Sequence, residues 1–524
     1  MLESAPSSFV VFGADCRRVD TVPGAWYGRR VNAVGAPAPG EKKTRTALAL
    51  LGSASALVPA LVMWGFTVDD ALIPLRYAHH LAIGAGYRFN AQGPSTDGVT
   101  PLLWAPLLAV VSGAKDGDLL AALVRTKIVG VVAWTAAGAA LGLALARRSA
   151  TDRRGIVHSA VALVLLALAF PVGAWAASGM ETGVATALAT LAAIELDRPR
   201  RSAILAGLAA CLRPELVVWA LALAGGAAVG AARSSTSASP GARAWTGVRV
   251  VAASAALATG PFAICAVIRL AAFGRAAPLA LLAKPSDLSH GLAYAGAATI
   301  VSLTPILAFA PLALRRAPWH AKTIAAAAVA HVLVVVGVGG DWMPYARLVV
   351  PVAPSLVLVY VECAKVARPL ASLSRAAVVG VVGVIVAANA APAGRHVHED
   401  RKELVEKARP LLSSSRVVAA LDVGWVGAAT NATIVDLAGL TDPAIAGLPG
   451  GHTSKAVDVA MLLDRDVDTL VVYSQPRAVE RRLVSSELFE ARFERAAVVP
   501  LGAKGAFYEI FRRRPSRAGE ERRR

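Results

Sequence analysis

Apolar runs close to the ~20 residues needed to cross a bilayer recur along the first three quarters of this chain, separated by short polar segments rich in arginine. They fall at 47–66, 119–146, 156–176, 182–196, 216–232, 248–272, 292–314, 323–338, 348–361 and 376–391. A shorter run, 202–212, reads as one more crossing, paired with its successor across Arg213-Pro214-Glu215. The pattern predicts about eleven transmembrane helices. The run 100–111 is half the required length and is expected as a re-entrant or surface-lying helix.

Beyond residue 391 the pattern changes. Short β-rich runs at 417–421, 433–437, 469–473 and 506–511 alternate with polar segments, and 478–489 suits a helix. This predicts a small α/β domain outside the bilayer. The organisation expected is a disordered cytoplasmic leader (1–40), a membrane domain (41–391) with a long outer loop at 67–99, an α/β domain (392–510) and a basic tail (511–524).

Composition agrees: 56% of the 524 residues are hydrophobic, 17% are charged, and mean hydropathy is +0.56. The net charge of +19 would suit a nucleic-acid binder, but the basic residues punctuate loops between apolar runs. Lys42, Lys43 and Arg45, then Arg147 to Arg154, Arg198 to Arg201, Arg233 to Arg249, and Arg315 with Arg316 recur in alternate loops. Placed in the cytoplasm, they put 67–99, 175–181, 273–290, 339–347 and everything after 391 on the outer face of a cytoplasmic membrane. Arg125 and Lys127 fit that alternation less well and are read as lining an interior cavity. Four cysteines, Cys16, Cys211, Cys265 and Cys363, lie far apart and show no metal-finger or disulfide-framework spacing.

The candidate chemistry begins at Asp69-Asp70, just past the first apolar run. Carboxylates at membrane depth are costly and commonly functional. The plainer reading is a helix N-cap for the segment that follows, which accounts well for one of the two.

The run DDALIPLRYAHHLAIGAGYRFN…DGVTPLLW resembles the first outer loop of the GT-C membrane glycosyltransferases, in particular the mycobacterial terminal arabinofuranosyltransferase group and its bacterial relatives. Further segments follow in the same order. Ser178-Gly179-Met180-Glu181-Thr182 resembles that group's SGLET element, and Leu212-Arg213-Pro214-Glu215 its LRPE. Phe273-Gly274 with Pro278 and Ala283-Lys284, and Gly339-Gly340-Asp341-Trp342-Met343 with Arg347, resemble two more. Asp422-Val423-Gly424 and the run Asp436 to Asp442 resemble elements of its outer domain. The likeness spans residues 45–445. Pro278-Leu279-Ala280 departs from the group's PNT, and Pro74 interrupts the first-loop helix.

The resemblance implies a GT-C fold and transfer of sugar from a polyprenyl-phosphate donor to a cell-envelope glycan, glycolipid or protein acceptor. It implies Asp69 as catalytic base, with Asp70 orienting it or touching a divalent cation. Lys284, Arg347 and Arg76 would hold the donor phosphate, while Asp341, Trp342, Glu181 and Arg213 would contact substrate. Plainer roles stand beside these: snorkelling for Lys284 and Arg347, a structural ion pair for Asp341, and an aromatic-belt position for Trp342. The alternative function is a secondary transporter or lipid flippase, which would favour charge pairs near the bilayer centre. The partners expected are donor, acceptor and membrane lipids, without nucleic acid.

Overall fold

The computed structural model describes residues 39–150, 152–234, 240–284, 286–303, 311–502 and 505–515; most of the leader and the end of the basic tail lie outside them. It is a helical bundle carrying a small C-terminal sheet domain. Six helices are long and apolar enough to cross a membrane, and a bent pair, Arg153–Leu168 with Phe170–Ala176, raises this to seven if it forms one span. Of the other expected crossings, 292–314 lies partly outside the described residues, and three fall on shorter or broken elements. Thr182–Ile194 has 13 residues and Pro199–Leu212 has 14. The run 348–361 opens as a 3-10 turn, Val350–Ser355, because Pro351 and Pro354 each remove a backbone donor.

Outward faces of the long helices are apolar: Leu50, Val58, Val132, Ile264, Val267, Val381 and Ile385 are all exposed. Inward faces pack through small residues. Gly52 and Ala56 of Pro39–Val62 meet Gly138 and Gly142 of Leu119–Ser149 so closely that a methyl group at Gly52, Gly138 or Gly142 would overlap the partner's backbone. This is how helices associate where lipid offers no hydrophobic drive. Gly138→Val is therefore expected to cost about 1–3 kcal/mol, read as a lower melting temperature in detergent; an unchanged melt would mean the helices are not in backbone contact there.

Leu119–Ser149 sets the length of the bundle, its 31 residues giving ~46 Å. Asp118 caps its start, beside the first loop, and Arg147 and Arg148 close its end. Arg148, Arg154 and Lys365 gather at that far end: Lys365 donates to the Arg148 carbonyl and Arg154 to that of Ala367. Arg125 and Lys127, expected to line a cavity, each meet a backbone carbonyl. Arg125 donates to Ser112 O at 2.9 Å, and Lys127 donates to Trp64 O while sitting over the Trp64 ring. Each is consumed by a carbonyl at a helix end.

The C-terminal domain begins with the amphipathic helix Val397–Leu412. Its five strands are β1 (Val417–Ala420), β2 (Thr433–Asp436), β3 (Thr469–Tyr473), β4 (Phe493–Leu501) and β5 (Ala506–Arg513). They lie in the order β2-β1-β3-β5-β4, with β1, β2 and β3 parallel and the β5–β4 hairpin antiparallel. The sequence did not announce β4. It is an edge strand, broken by a register shift between Arg495 and Ala497, and it tolerates Pro500. The helix expected over 478–489 splits into Ala478–Val484 and Glu487–Arg492, with Ser486 as the N-cap of the second.

Candidate functional site

The first loop bridges the bundle and the sheet domain. After Thr67, whose hydroxyl donates to Ser178 O at 2.8 Å, the chain makes a 3-10 turn at Asp69–Ala71 and enters the helix Leu72–Ala82. That turn points its two carboxylates in different directions.

Asp69 faces the sheet domain. Its Oδ1 accepts from Arg401 Nη1 at 2.9 Å and from the Trp425 amide at 2.9 Å, and Oδ2 accepts from the Gly424 amide at 2.8 Å. A Cβ on Gly424 would collide with Asp69 itself, so the close approach requires glycine there. Burial pushes the Asp69 carboxyl up to about 6, against Arg401 and with help from Asp422 and Asp70. With three donors already in place, Asp69 is a docking group. Asp436, buried at the end of β2, accepts from Ala438 N, Thr441 N and the Thr441 hydroxyl, and burial likewise raises it to about 6.

Both groups bind protons in the folded chain at a pH where the unfolded chain has released them. Stability from this source is complete below pH ~4 and is lost as pH rises through about 6, each pKa unit being worth about 1.4 kcal/mol. Asp69→Asn is expected to flatten the dependence of melting temperature on pH across that window; identical slopes for mutant and wild type would refute the assignment.

Asp70 faces the other way. It makes no hydrogen bond or ion pair among the described residues, and lines a cavity of about 50 Å³ with Lys284, Glu181, Met180, Thr100 and Leu440. Four segments singled out from the sequence thus meet at one point: the first loop, the SGMET turn, the stretch ending at Lys284, and the loop after Asp436. Lys284 is half-buried and has no ion-pair partner among the described residues.

A buried ionic chain forms the inner wall. Glu181, just before the helix Thr182–Ile194, accepts at Oε1 from Arg213 Nη1 at 2.8 Å and from Arg347 Nη2 at 3.1 Å. Its Oε2 has no partner among the described residues. Arg213 also grips Glu215 at 2.6 Å, and Arg347 Nη1 lies 3.6 Å from Asp341. Burial opposes charge on Glu181 and Asp341, yet the neighbouring cations, Arg347 foremost, hold both carboxyls below their ordinary value. Lys284 is among the cations that depress Asp341. Burial likewise opposes charge on Arg213, and Glu215 and Glu181 more than offset it.

Next to Asp341 in the chain, Trp342 is 68% exposed and stacks on His290, ring centroids 4.2 Å apart, with His452 of the sheet domain 6.0 Å away. Burial pushes His452 down to about 4, and Lys284 adds to the effect, so the ring is neutral near pH 7. His290, His452 and Arg401 were not singled out in the sequence. No local spacing marks them, since their partners lie far away along the chain.

One expected phosphate ligand is corrected. Arg76 is buried and turned from the cavity, donating to the carbonyls of Phe89, Gly427, Thr430 and Ala432 at 2.8–2.9 Å. Four of its five N–H donors are used, three of them tying the first loop to the sheet domain. For the divalent cation expected on Asp70, the described residues offer no ready-made cage. No group of three or more His, Cys, Asp or Glu side chains suited to a metal occurs among the described residues, and the charged groups nearest the cavity include Lys284, Arg213 and Arg347.

Residues 395–516 match a domain of unknown function (DUF8728). No curated protein matches the chain.

Proposed function

We propose that this chain is an integral membrane glycosyltransferase of the GT-C type, with about eleven crossings once its short apolar helices are included, working at the outer face of the cytoplasmic membrane. The donor is a sugar on polyprenyl phosphate, and the acceptor is a hydroxyl of a cell-envelope glycan, glycolipid or protein. The observation that carries this reading is a carboxylate, Asp70, and a cation, Lys284, that line one cavity beside the first loop, neither with an ion-pair partner among the described residues.

In this reading Asp70, rather than Asp69, takes the proton of the acceptor hydroxyl as its oxygen attacks the anomeric carbon. The bond from that carbon to the phosphate oxygen breaks, and Lys284 neutralises the departing polyprenyl phosphate. A single displacement of this kind inverts the anomeric configuration. Arg347, held by Glu181 and Asp341, supplies the second positive charge, and Arg213 fixes Glu181. Trp342 and His290 offer a flat face to sugar, with His452 closing it from the sheet domain. Asp69 is a positioning residue: anchored on Arg401 and the Gly424 and Trp425 amides, it fixes the turn from which Asp70 projects.

The clustering of Asp70, Glu181, Arg213, Lys284, Asp341 and Arg347 beside the first loop supports this over a transporter, whose ionisable groups would be expected near the bilayer centre. The test is transfer from a panel of polyprenyl-phosphate sugars in membranes containing the chain. One donor should be used, and Lys284→Gln should raise KM for it at least about tenfold through loss of a charge-assisted contact. No transfer from any donor by well-folded protein would overturn the reading.

A further inference from the structure

We infer that Cys211 and Cys265 are joined by a disulfide in the working protein, a covalent staple between two helices at the wall of the site. Their Sγ atoms lie 3.2 Å apart. Both side chains are buried, Cys211 at 4% and Cys265 at 1% exposure, in a small apolar cluster with Leu102. Closing the gap to the ~2.0 Å of a sulfur–sulfur bond takes about an ångström of approach, within reach of small side-chain adjustments. Cys363, also buried, lies on a different helix and in no comparable pair among the described residues.

The position gives the bond a use. Cys211 is the penultimate residue of the helix Pro199–Leu212, two residues ahead of the Arg213 that grips Glu181. Cys265 lies one turn before Arg269 in the helix Pro240–Phe273. Arg269 pairs with Asp97 at 2.8 Å and donates to the carbonyl of Thr100, a residue of the cavity wall. A bond between the sulfurs therefore fixes the helix end carrying Arg213 to the helix that holds the first loop. The second helix has few buried residues of its own: only 17% of its most apolar window is buried. A helix so lightly packed gains from a covalent tie.

The chemistry is thiol–disulfide exchange with an external disulfide oxidant. One cysteine thiolate attacks a sulfur of the oxidant and expels its first thiolate. The second cysteine thiolate then attacks the mixed disulfide at the protein sulfur, expelling the second. Two protons pass from the cysteines to the two thiolates released, and the oxidant is reduced to a dithiol. Such oxidants act outside the cytoplasm. The inference thus uses the outward placement of these helix ends but not the transferase reading.

The experiment counts thiols in the full-length protein. Cells are quenched in acid, and the protein is denatured and labelled with a maleimide–polyethylene glycol reagent before and after reduction. Of the four cysteines, two are expected to react before reduction and all four after it. Proteolysis without reductant should release one linked peptide pair containing Cys211 and Cys265. Cys211→Ser should show three reactive thiols with or without reductant; if that variant does not accumulate, the wild-type count and peptide map still decide. Four reactive thiols before reduction, or a linkage between other cysteines, would overturn the inference. Sugar transfer by protein with a free pair would leave the transferase reading standing and sink this one alone.

Discussion

Asp70→Asn is expected to lower sugar transfer by about 10²–10⁴-fold, the range that general-base catalysis supplies, while leaving folding and donor binding close to wild type. The amide is nearly isosteric with the carboxylate but cannot take a proton. The side chain has no hydrogen-bond or ion-pair partner among the described residues, so its loss orphans no donor. Catalysis and stability should therefore separate at this position. Asp69→Asn offers the contrast. It weakens a carboxylate that holds Arg401 and two backbone amides, so it should lower the melting temperature and reduce turnover together. The decisive comparison is kcat for the two variants at matched folded fraction. Full turnover in Asp70→Asn would end its assignment as base. If Asp69→Asn alone were inactive while melting like wild type, the roles would be reversed.

The adjacency of Asp69 and Asp70 was legible in the sequence, but the division of labour was not. Their separation depends on a 3-10 turn at Asp69–Ala71 and on a glycine more than 350 residues away whose missing side chain makes room for Asp69. The sequence also singled out Glu181, Arg213, Lys284, Asp341 and Arg347, all of which lie in the cavity wall or the ionic chain behind it. It did not say which would face the cavity and which would face one another. A buried Glu181 bridging two guanidiniums is set by helix packing, which periodicity does not encode. Long apolar runs gave the bundle reliably. Short helices such as Pro199–Leu212 and the proline-broken stretch at 350–355 were harder to bound, because hydropathy does not see where a helix stops. In the sheet domain the parallel strands β1, β2 and β3 stood out as apolar runs. Strand β4 did not, its exposed positions carrying Glu494 and Arg495.

The largest effect on stability is expected at Arg76, where sequence reasoning placed a phosphate ligand. Arg76→Met keeps most of the side-chain volume and removes every donor. Four carbonyls, those of Phe89, Gly427, Thr430 and Ala432, then lose the group that satisfies them. At about 1–3 kcal/mol for each orphaned buried acceptor, with water reaching the more accessible ones, the loss should be about 4 kcal/mol or more. The contact of the guanidinium with the Phe89 ring, 5.1 Å from its centroid, goes as well. Three of the four carbonyls belong to the sheet domain, so the damage should appear as undocking before the bundle itself melts. Asp69 and Asn90 would then carry much of the junction, Asn90 through its paired hydrogen bonds to the Ile434 backbone. Limited proteolysis in detergent should release a fragment from about residue 395 onward (where the sheet domain begins) at a temperature at which the wild type resists. Arg76→Lys should fall between the two, since one ammonium cannot reach carbonyls spread across a planar fork. If Arg76→Met instead kept the wild-type melt and cleavage pattern and lost only affinity for the donor, the arginine would be a phosphate ligand after all, and the docking role assigned to it would fall.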